Sequence, residues 1–361
     1  MKITIIGAGN GGLSFGANLI KLGAEVNLFD KFPQIIKPII ENNNGIDMEQ
    51  NSLKGTYKFN KVTDNLEEVI RNSKYILVIT PAFAHAQIAK ELAKYVHNDQ
   101  RILLLPGRTG GALEVKKIME QHGKDGVIVA EAETLLYACR KTSPIEVKIY
   151  GEKNKVGLAS LPSTAIDEII SDLKPFIPNF FPYPNVFYSS LNNIGAVFHP
   201  TPFLLNLGRS DSGVRYKYYH EGITPNIGKL LEELDKERLL IAKKLSINLP
   251  TALEWLNENY SLSEANLYDA IQSNQSYKEI FAPTSIDSRY ILEDVPMSLV
   301  PLTEIAQTLS VKTPIMDSVV NLASAVYNID FRITGRNITK MGIEGKVKST
   351  DVNEMSLYVK V

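Results

Sequence analysis

The first 30 residues constrain this chain more than any other stretch. Lys2 to Ile6 (KITII) reads as a buried strand because β-branched residues dominate it, and it runs straight into Gly7-Ala8-Gly9-Asn10-Gly11-Gly12. A helical pattern follows from Leu13 to Leu22, stopped by Gly23, and a second strand, Glu25 to Phe29, closes on Asp30. Strand, glycine turn, helix, strand and acid, in that order, predict a dinucleotide-binding βαβ unit. The glycines serve different ends. Gly7 makes the tight turn, Gly9 lets backbone approach a pyrophosphate, and Gly12 lets helix and strand pack closely. The N-terminus of the helix offers N–H groups and the positive end of a dipole to phosphate, and Asn10, Gly11 and Gly12 are candidate cofactor contacts with the other glycines. Asp30 sits where an acid accepts hydrogen bonds from ribose hydroxyls and repels a 2′-phosphate, which favours NAD. Lys31, a cation next to it, keeps NADP open.

The alternation of strand and helix continues. Tyr75 to Thr80 (YILVIT) reads as a strand ending in Pro81-Ala82-Phe83-Ala84-His85, with a helix to about Tyr95, then a strand from Arg101 to Leu105 and the loop Pro106-Gly107-Arg108-Thr109-Gly110-Gly111. A further helix and a strand from Val127 to Ala130 complete a doubly wound, mainly parallel α/β sheet of Rossmann type. Ligands of such sheets lie beyond the carboxyl ends of the strands, which makes Pro81, Phe83 and the Gly107–Gly111 loop candidate walls of the cofactor site. Ile145 to Tyr150 and Val156 to Ala159, joined across Gly151 to Asn154, read as an antiparallel pair. A helix from Thr164 to Leu173 and short strands at Asn179 to Tyr183 and Val186 to Tyr188 follow. The first domain is expected to span 1–187. From 188 to 361 the periodicity is helical, with helices at Ile223 to Ile247, Ser263 to Gln272, Pro296 to Leu309 and Pro314 to Val326. This all-α domain is expected to cover the cofactor, with the reaction at the seam. The end of the chain, Glu344 to Val361, could add an edge strand, pair with another subunit in a homodimer, or fray.

Composition narrows the partners. With 39 Lys+Arg against 40 Asp+Glu in 361 residues, no basic field is present to collect counterions from a nucleic acid or an acidic membrane. No apolar run reaches the length of a membrane span, and the glycines of the N-terminus break the pattern of a signal peptide. A single cysteine, Cys139, forms neither an intrachain disulfide nor a zinc cluster, which suits a reducing cytoplasm. The five histidines include no HExxH pair, so no metal is expected, and no GxSxG nucleophile elbow occurs.

Among those histidines His199 stands out, in Ile194-Gly195-Ala196-Val197-Phe198-His199-Pro200 at the start of the helical half. An imidazole suits proton transfer near neutral pH, although a hydrogen-bonded core histidine would read the same way. Asp294, before Val295-Pro296, is a candidate acid partner for it or, alternatively, a helix N-cap.

Taken together, these segments resemble the opine dehydrogenases, the octopine/nopaline dehydrogenase family that joins an amino acid to a 2-oxo acid. The resemblance covers nearly the whole chain. It rests on GAGNGG, TPAFAH at Thr80–His85, LPGRTGGAL at Leu105–Leu113, AEAETLLYACR at Ala130–Arg140, NNIGAVFHPTPFLLNLG at Asn192–Gly208, YYHEGITPNIGKLLEELDKERL at Tyr218–Leu239 and SRYILEDVPMSLVPL at Ser288–Leu302. It implies NAD(P)H-dependent reductive condensation of an amino acid amine with a 2-oxo acid such as pyruvate, through an imine. His199 and Asp294 fall on the family's catalytic pair. Where the family pattern often has Asn four residues before the histidine, this chain has Gly195. Arg289 is a candidate for the pyrophosphate or a carboxylate, and Asn193, Arg140 and Asn206 are candidate substrate contacts. Arg140 is a weaker candidate than Arg289, as are Arg209 and Arg336, and all three also read as surface cations. Tyr216, Tyr218 and Tyr219 read as either a lid or core. Two other readings remain: a plain 2-oxo acid reductase of ketopantoate reductase type, and a nicotinamide-binding regulatory protein without chemistry.

Overall fold

A computed structural model describes residues 1–345, which form parts of two compact units, one of Met1–Ser190 and one beginning at Leu191. The expected boundary lay three residues earlier. The tail from 346 onward, for which an edge strand or subunit contact was considered, lies outside the described residues.

The first unit is built on an eight-stranded sheet, whose strands alternate with helices in sequence. In chain order the twelve strands of the unit are β1 (Lys2–Ile6), β2 (Glu25–Phe29), β3 (Gly45–Gln50), β4 (Leu53–Lys58), β5 (Lys61–Thr63), β6 (Tyr75–Val78), β7 (Arg101–Leu104), β8 (Ile128–Ala132), β9 (Tyr137–Ser143), β10 (Glu146–Glu152), β11 (Val156–Leu161) and β12 (Phe180–Pro182). The main sheet runs β12-β11-β8-β7-β6-β1-β2-β5, parallel except where β11 meets β8. The chain winds from β1 out to β5, returns beside β1 as β6 and winds the other way to β8, so the order reverses between β1 and β6. That switch point opens a crevice at the carboxyl ends of the two strands. β6 and β11 are buried at every position, as expected for sheet interior covered on both faces.

Two expected features are corrected. The segments 145–150 and 156–159 do not pair with each other. β10 pairs antiparallel with β9 and parallel with β3 in a second sheet of order β4-β3-β10-β9, whereas β11 joins the main sheet beside β8 and β12. Residues 186–188 form no strand but open the helix Val186–Leu191, where Asn185 Oδ1 accepts a hydrogen bond from the Phe187 amide. The second sheet lies against the helix Asn10–Lys21. Phe15 on that helix meets the Tyr137 ring edge-on at 4.7 Å, and Asn18 donates to the Tyr137 hydroxyl.

The second unit is helical. Its longest helix, Pro225–Lys244, starts at Thr224, whose hydroxyl accepts from the Ile227 amide, with Pro225 at the first position. It buries Leu231, Leu234, Arg238 and Ile241 at three- and four-residue spacing. Helices Leu267–Ser273, Val300–Thr308 and Pro314–Tyr327 match the expected helical stretches, and Ala252–Tyr260 adds one closed by a capping box between Thr251 and Glu254. The stretch from Pro296 is not one regular helix: residues Val295–Leu299 are π-helical before the α-helix begins. Among the described residues no helix is long and apolar enough to cross a membrane.

Candidate active site

The cofactor motif folds as its composition dictates. Gly7 adopts φ +107°, and its amide donates to Phe29 O at 2.8 Å, tying the turn to β2. A Cβ at Gly12 would stand 1.8 Å from Gly7 O, so the helix approaches the turn as closely as it does only because Gly12 has none. At Gly9 an added Cβ would meet nothing within 4 Å. Gly9 is also the N-cap of Asn10–Lys21, offers no capping side chain, and is followed by no acid in the first turn. Open space before uncapped amides fits a dinucleotide pyrophosphate.

Asp30, at the end of β2, is held from two sides. Its Oδ2 accepts from the Ala8 amide at 2.8 Å and its Oδ1 from the Phe32 amide at 3.0 Å. Asn10 turns its amide toward the second sheet, accepting from the Lys141 amide of β9 at 3.0 Å. Pro81 leads into a short 3₁₀ turn, Ala82–Ala84, on which the Phe83 ring is 52% exposed. The Gly107–Gly111 loop is anchored beneath by Glu131, which is fully buried. Glu131 accepts from the Ala112 amide and from the Ser189 and Ser190 hydroxyls, each at 2.7 Å, and Ser190 Oγ in turn accepts from the Gly110 amide.

In the second unit the structure brings His199 and Asp294 together across 95 residues. His199 Nδ1 lies 2.9 Å from Asp294 Oδ2. His199 occupies the joint between helices Gly195–Phe198 and Pro200–Leu205, where Pro200 starts the second helix. Gly195 O accepts from the His199 amide at 3.1 Å, closing the turn that carries the ring. Asp294 stands at the joint of Arg289–Leu292 and the π-helix and caps no backbone amide; its side chain is 1% exposed, while that of His199 is 21% exposed. The N-cap alternative for Asp294 is thereby set aside. With a carboxylate on Nδ1 the proton resides there, and Nε2 keeps a lone pair. Among the described residues Nε2 has no hydrogen bond.

Two tyrosines fix the ring, and sequence reasoning assigned neither to that role. Tyr290 stacks on the imidazole, with centroids 4.6 Å apart at 23°. Tyr218 donates its hydroxyl to His199 O at 2.6 Å and lies 4.6 Å from the Tyr290 ring. Burial pushes the Tyr218 hydroxyl well above its ordinary pKa of 10, so it stays a donor. Tyr216, Tyr218 and Tyr219 are all buried, which makes the run core rather than lid. The signal was present in part: Tyr290 is flanked by Arg289 and lies four residues before Asp294.

The other candidates are placed differently. Asn193 is buried and donates to Ser298 Oγ at 2.8 Å, joining the segment before His199 to the π-helix after Asp294. Asn206 donates to Pro202 O and Gly222 O, at 2.9 and 2.8 Å. Arg140 lies on an exposed position of β9 and bonds the carbonyl of Cys139. Arg289 forks onto buried Glu293, Nε to Oε2 at 2.6 Å and Nη2 to Oε2 at 2.5 Å, with its own side chain 61% exposed. Arg336 is no surface cation: it is fully buried, and its amide donates to Pro296 O at 2.9 Å. No group of three or more His, Cys, Asp or Glu that could hold a metal ion occurs among the described residues.

Comparison with known proteins agrees with both halves. The family model described as NAD/NADP octopine/nopaline dehydrogenase, alpha-helical domain, matches residues 182–327, and that of ketopantoate reductase PanE/ApbA matches residues 3–177. The opine dehydrogenase of Arthrobacter sp. (strain 1C) is 38% identical over 341 residues, covering 94% of this chain and 95% of that protein. The octopine dehydrogenase of Mizuhopecten yessoensis is 23% identical, with 94% of each chain covered. In fold, the chain resembles an octopine dehydrogenase solved with NADH and agmatine, with a TM-score of 0.83 at 20% identity over 96% of this chain and 98% of that one. A yersinopine dehydrogenase solved with NADP⁺ gives a TM-score of 0.79 at 14% identity, covering 95% and 93%. Glycine turn, a histidine paired with a buried aspartate and a relative this similar along nearly its whole length converge: the chain belongs to the opine dehydrogenase family of NAD(P)-dependent oxidoreductases.

Proposed function

We propose that His199 is the general acid/base of an amine-dependent reduction of a 2-oxo acid, and that Asp294 orients it and supports its charged form. The observation that carries this reading is the 2.9 Å contact between His199 Nδ1 and a carboxylate that is 1% exposed. A carboxylate so buried grips the ring by Nδ1 and holds the free Nε2 in one orientation.

The balanced reaction takes an amino acid, a 2-oxo acid, NADH and a proton to a secondary-amine dicarboxylate, NAD⁺ and water. The amine adds to the oxo carbon, water leaves, and an imine remains. The nicotinamide, when bound, supplies hydride to the imine carbon. His199 takes the proton released by the attacking ammonium and returns one to the departing hydroxyl, so one residue serves both halves of the condensation. Stacking on Tyr290 and the Tyr218 bond to the His199 carbonyl restrict the ring to one plane, and such pre-positioning is a large part of what an enzyme offers two small substrates.

In this reading residues 1–190 hold the dinucleotide, through Gly7, Gly9, Gly11, Gly12 and Asp30, and the helical unit provides the acid/base pair. Arg289, steadied by Glu293 and largely exposed, presents a guanidinium to a carboxylate or phosphate. Asn193 acts by holding Ser298 and the π-helix. Cys139 is buried, and burial raises its thiol pKa, which suits the unreacted thiol of a cytoplasmic enzyme.

The test is loss of NADH absorbance with pyruvate crossed against all amino acids and taurine. Oxidation that requires both an oxo acid and an amine supports the reading. Oxidation with the oxo acid alone, whatever amine is added, indicates chemistry like that of ketopantoate reductase.

A further inference from the structure

We propose that Lys141, which the second sheet carries to the first residue of the glycine-turn helix, sets the cofactor range of this enzyme: its ammonium lets the ribose subsite accept a 2′-phosphate as well as a 2′-hydroxyl, so that NADPH binds alongside NADH. The inference rests on the dinucleotide reading of residues 1–190 and concerns one corner of that site.

Asp30 alone predicts rejection of NADPH, because a fixed carboxylate repels a 2′-phosphate. It is fixed here: the Ala8 and Phe32 amides hold one oxygen each, so the side chain cannot swing clear without giving up both bonds. Tolerance of a 2′-phosphate therefore requires a cation placed against that carboxylate from elsewhere in the fold.

β9 places one. Tyr137, Cys139 and Lys141 alternate with the exposed Ala138 and Arg140, so the three share one face of the strand, the face on which Tyr137 meets Phe15 of the glycine-turn helix. Lys141 ends that row. Its amide donates to Asn10 Oδ1 at 3.0 Å, which fixes this end of β9 over the first residue of the helix. Burial lowers the pKa of the ammonium, and Asp30 is close enough for its carboxylate to act against that fall. Yet among the described residues Lys141 makes no ion pair and no side-chain hydrogen bond. A half-buried lysine that makes no ion pair, on a strand end held to the start of the glycine-turn helix, has the charge to receive a phosphate there. Lys31, next to Asp30 in sequence and with Nζ 4.7 Å from the Phe32 ring centroid, adds a second, exposed cation.

The experiment is direct binding to the full-length protein. Titrations of NADH and NADPH by nucleotide fluorescence, and of adenosine 2′,5′-bisphosphate against adenosine 5′-monophosphate by calorimetry, are run on wild type, Lys141→Ala and Lys141→Arg. Wild type is expected to bind both dinucleotides. Lys141→Ala is expected to lose at least about tenfold in affinity for NADPH and for the bisphosphate, the scale of one charge-assisted contact, with NADH within about twofold. Lys141→Arg is expected to keep NADPH binding. Unchanged NADH binding in Lys141→Ala also reports that the variant is folded. Equal losses for both dinucleotides would mean that Lys141 meets a group they share, and wild type that binds NADH but not NADPH would mean that Asp30 prevails; either overturns the proposal. Failure of wild type to bind any dinucleotide would fall on the functional reading instead.

Discussion

Replacing Arg238 by Met should unfasten the helical unit. Arg238 is fully buried in Pro225–Lys244, and each arm of its guanidinium is used: Nε donates to Asp235 Oδ1 at 2.7 Å, Nη1 to Leu191 O at 3.1 Å and Nη2 to Pro250 O at 2.7 Å. Asp235, 4% exposed, spends its other oxygen on the Ala252 amide at 2.7 Å, the first residue of Ala252–Tyr260. One ion pair thus ties the longest helix to the next one and to the chain leading into the His199 segment. Methionine fills similar volume but leaves two carbonyls and a buried carboxylate without the cation. Three hydrogen bonds at about 1 kcal/mol each and the stranded charge together agree with the roughly 3–5 kcal/mol typical of breaking one side of a buried pair. For a unit of this size that corresponds to a fall of roughly 6–20 °C in Tm. Trp255, the single tryptophan, lies in the helix whose first amide Asp235 holds, so urea unfolding followed by tryptophan fluorescence reads the event where it occurs. Adding Asp235→Leu to Arg238→Met removes the stranded charge and should restore about 2 kcal/mol. A single variant that costs less than about 1 kcal/mol, or a double variant no more stable than the single, would refute the reasoning.

The glycine turn separates folding from binding. Gly12→Ala drives a Cβ into Gly7 O and should cost about 3 kcal/mol or more in urea unfolding, whereas Gly9→Ala meets nothing and should cost no more than about 1 kcal/mol while weakening NADH binding at least about tenfold by fluorescence titration. Lys153, whose Nζ donates to Leu135 O at 2.7 Å, is pushed by burial from its ordinary 10.5 down to about 8. The unfolded chain then binds more protons than the folded one between those values, so stability should rise as pH climbs from about 8 toward 10.5, and Lys153→Met should flatten that rise in urea titrations across the range.

What could be read from residues alone follows from how local each signal is. The turn at Gly7–Gly12 and the acid at Asp30 lie within 30 residues and encode a backbone path, so they were legible. The pairing of His199 with Asp294 is not local; it came through family resemblance, since the residues alone favoured a structural reading of each. The second sheet went unread because β3 (GIDMEQ) and β4 (LKGTYK) carry too little apolar alternation to announce strands, and β10 reaches β3 across nearly 100 residues. The false pairing of β10 with β11 came from trusting the turn-like Gly151–Asn154. Yet the strands differ in pattern: β10 is half-exposed, as a one-sided sheet requires, while β11 is buried throughout, as an interior strand requires. At Val186–Tyr188 a β-branched and aromatic run outweighed the cap signal of Asn185, which the structure uses to start a helix. Asn193 was read as a substrate contact because an amide near a catalytic histidine invites it; burial against Ser298 turns it inward.

Everything proposed for the chemistry depends on His199 as the acid/base group. The decisive quantity is kcat of His199→Ala in the amine-dependent reaction, with the NADH dissociation constant of the same variant determined by fluorescence. The expected result is a fall in kcat of about 10²–10⁴-fold, the span of general acid/base catalysis, with NADH affinity within about threefold of wild type. A variant that binds NADH normally and still turns over at more than about a tenth of the wild-type rate would remove His199 from the acid/base role.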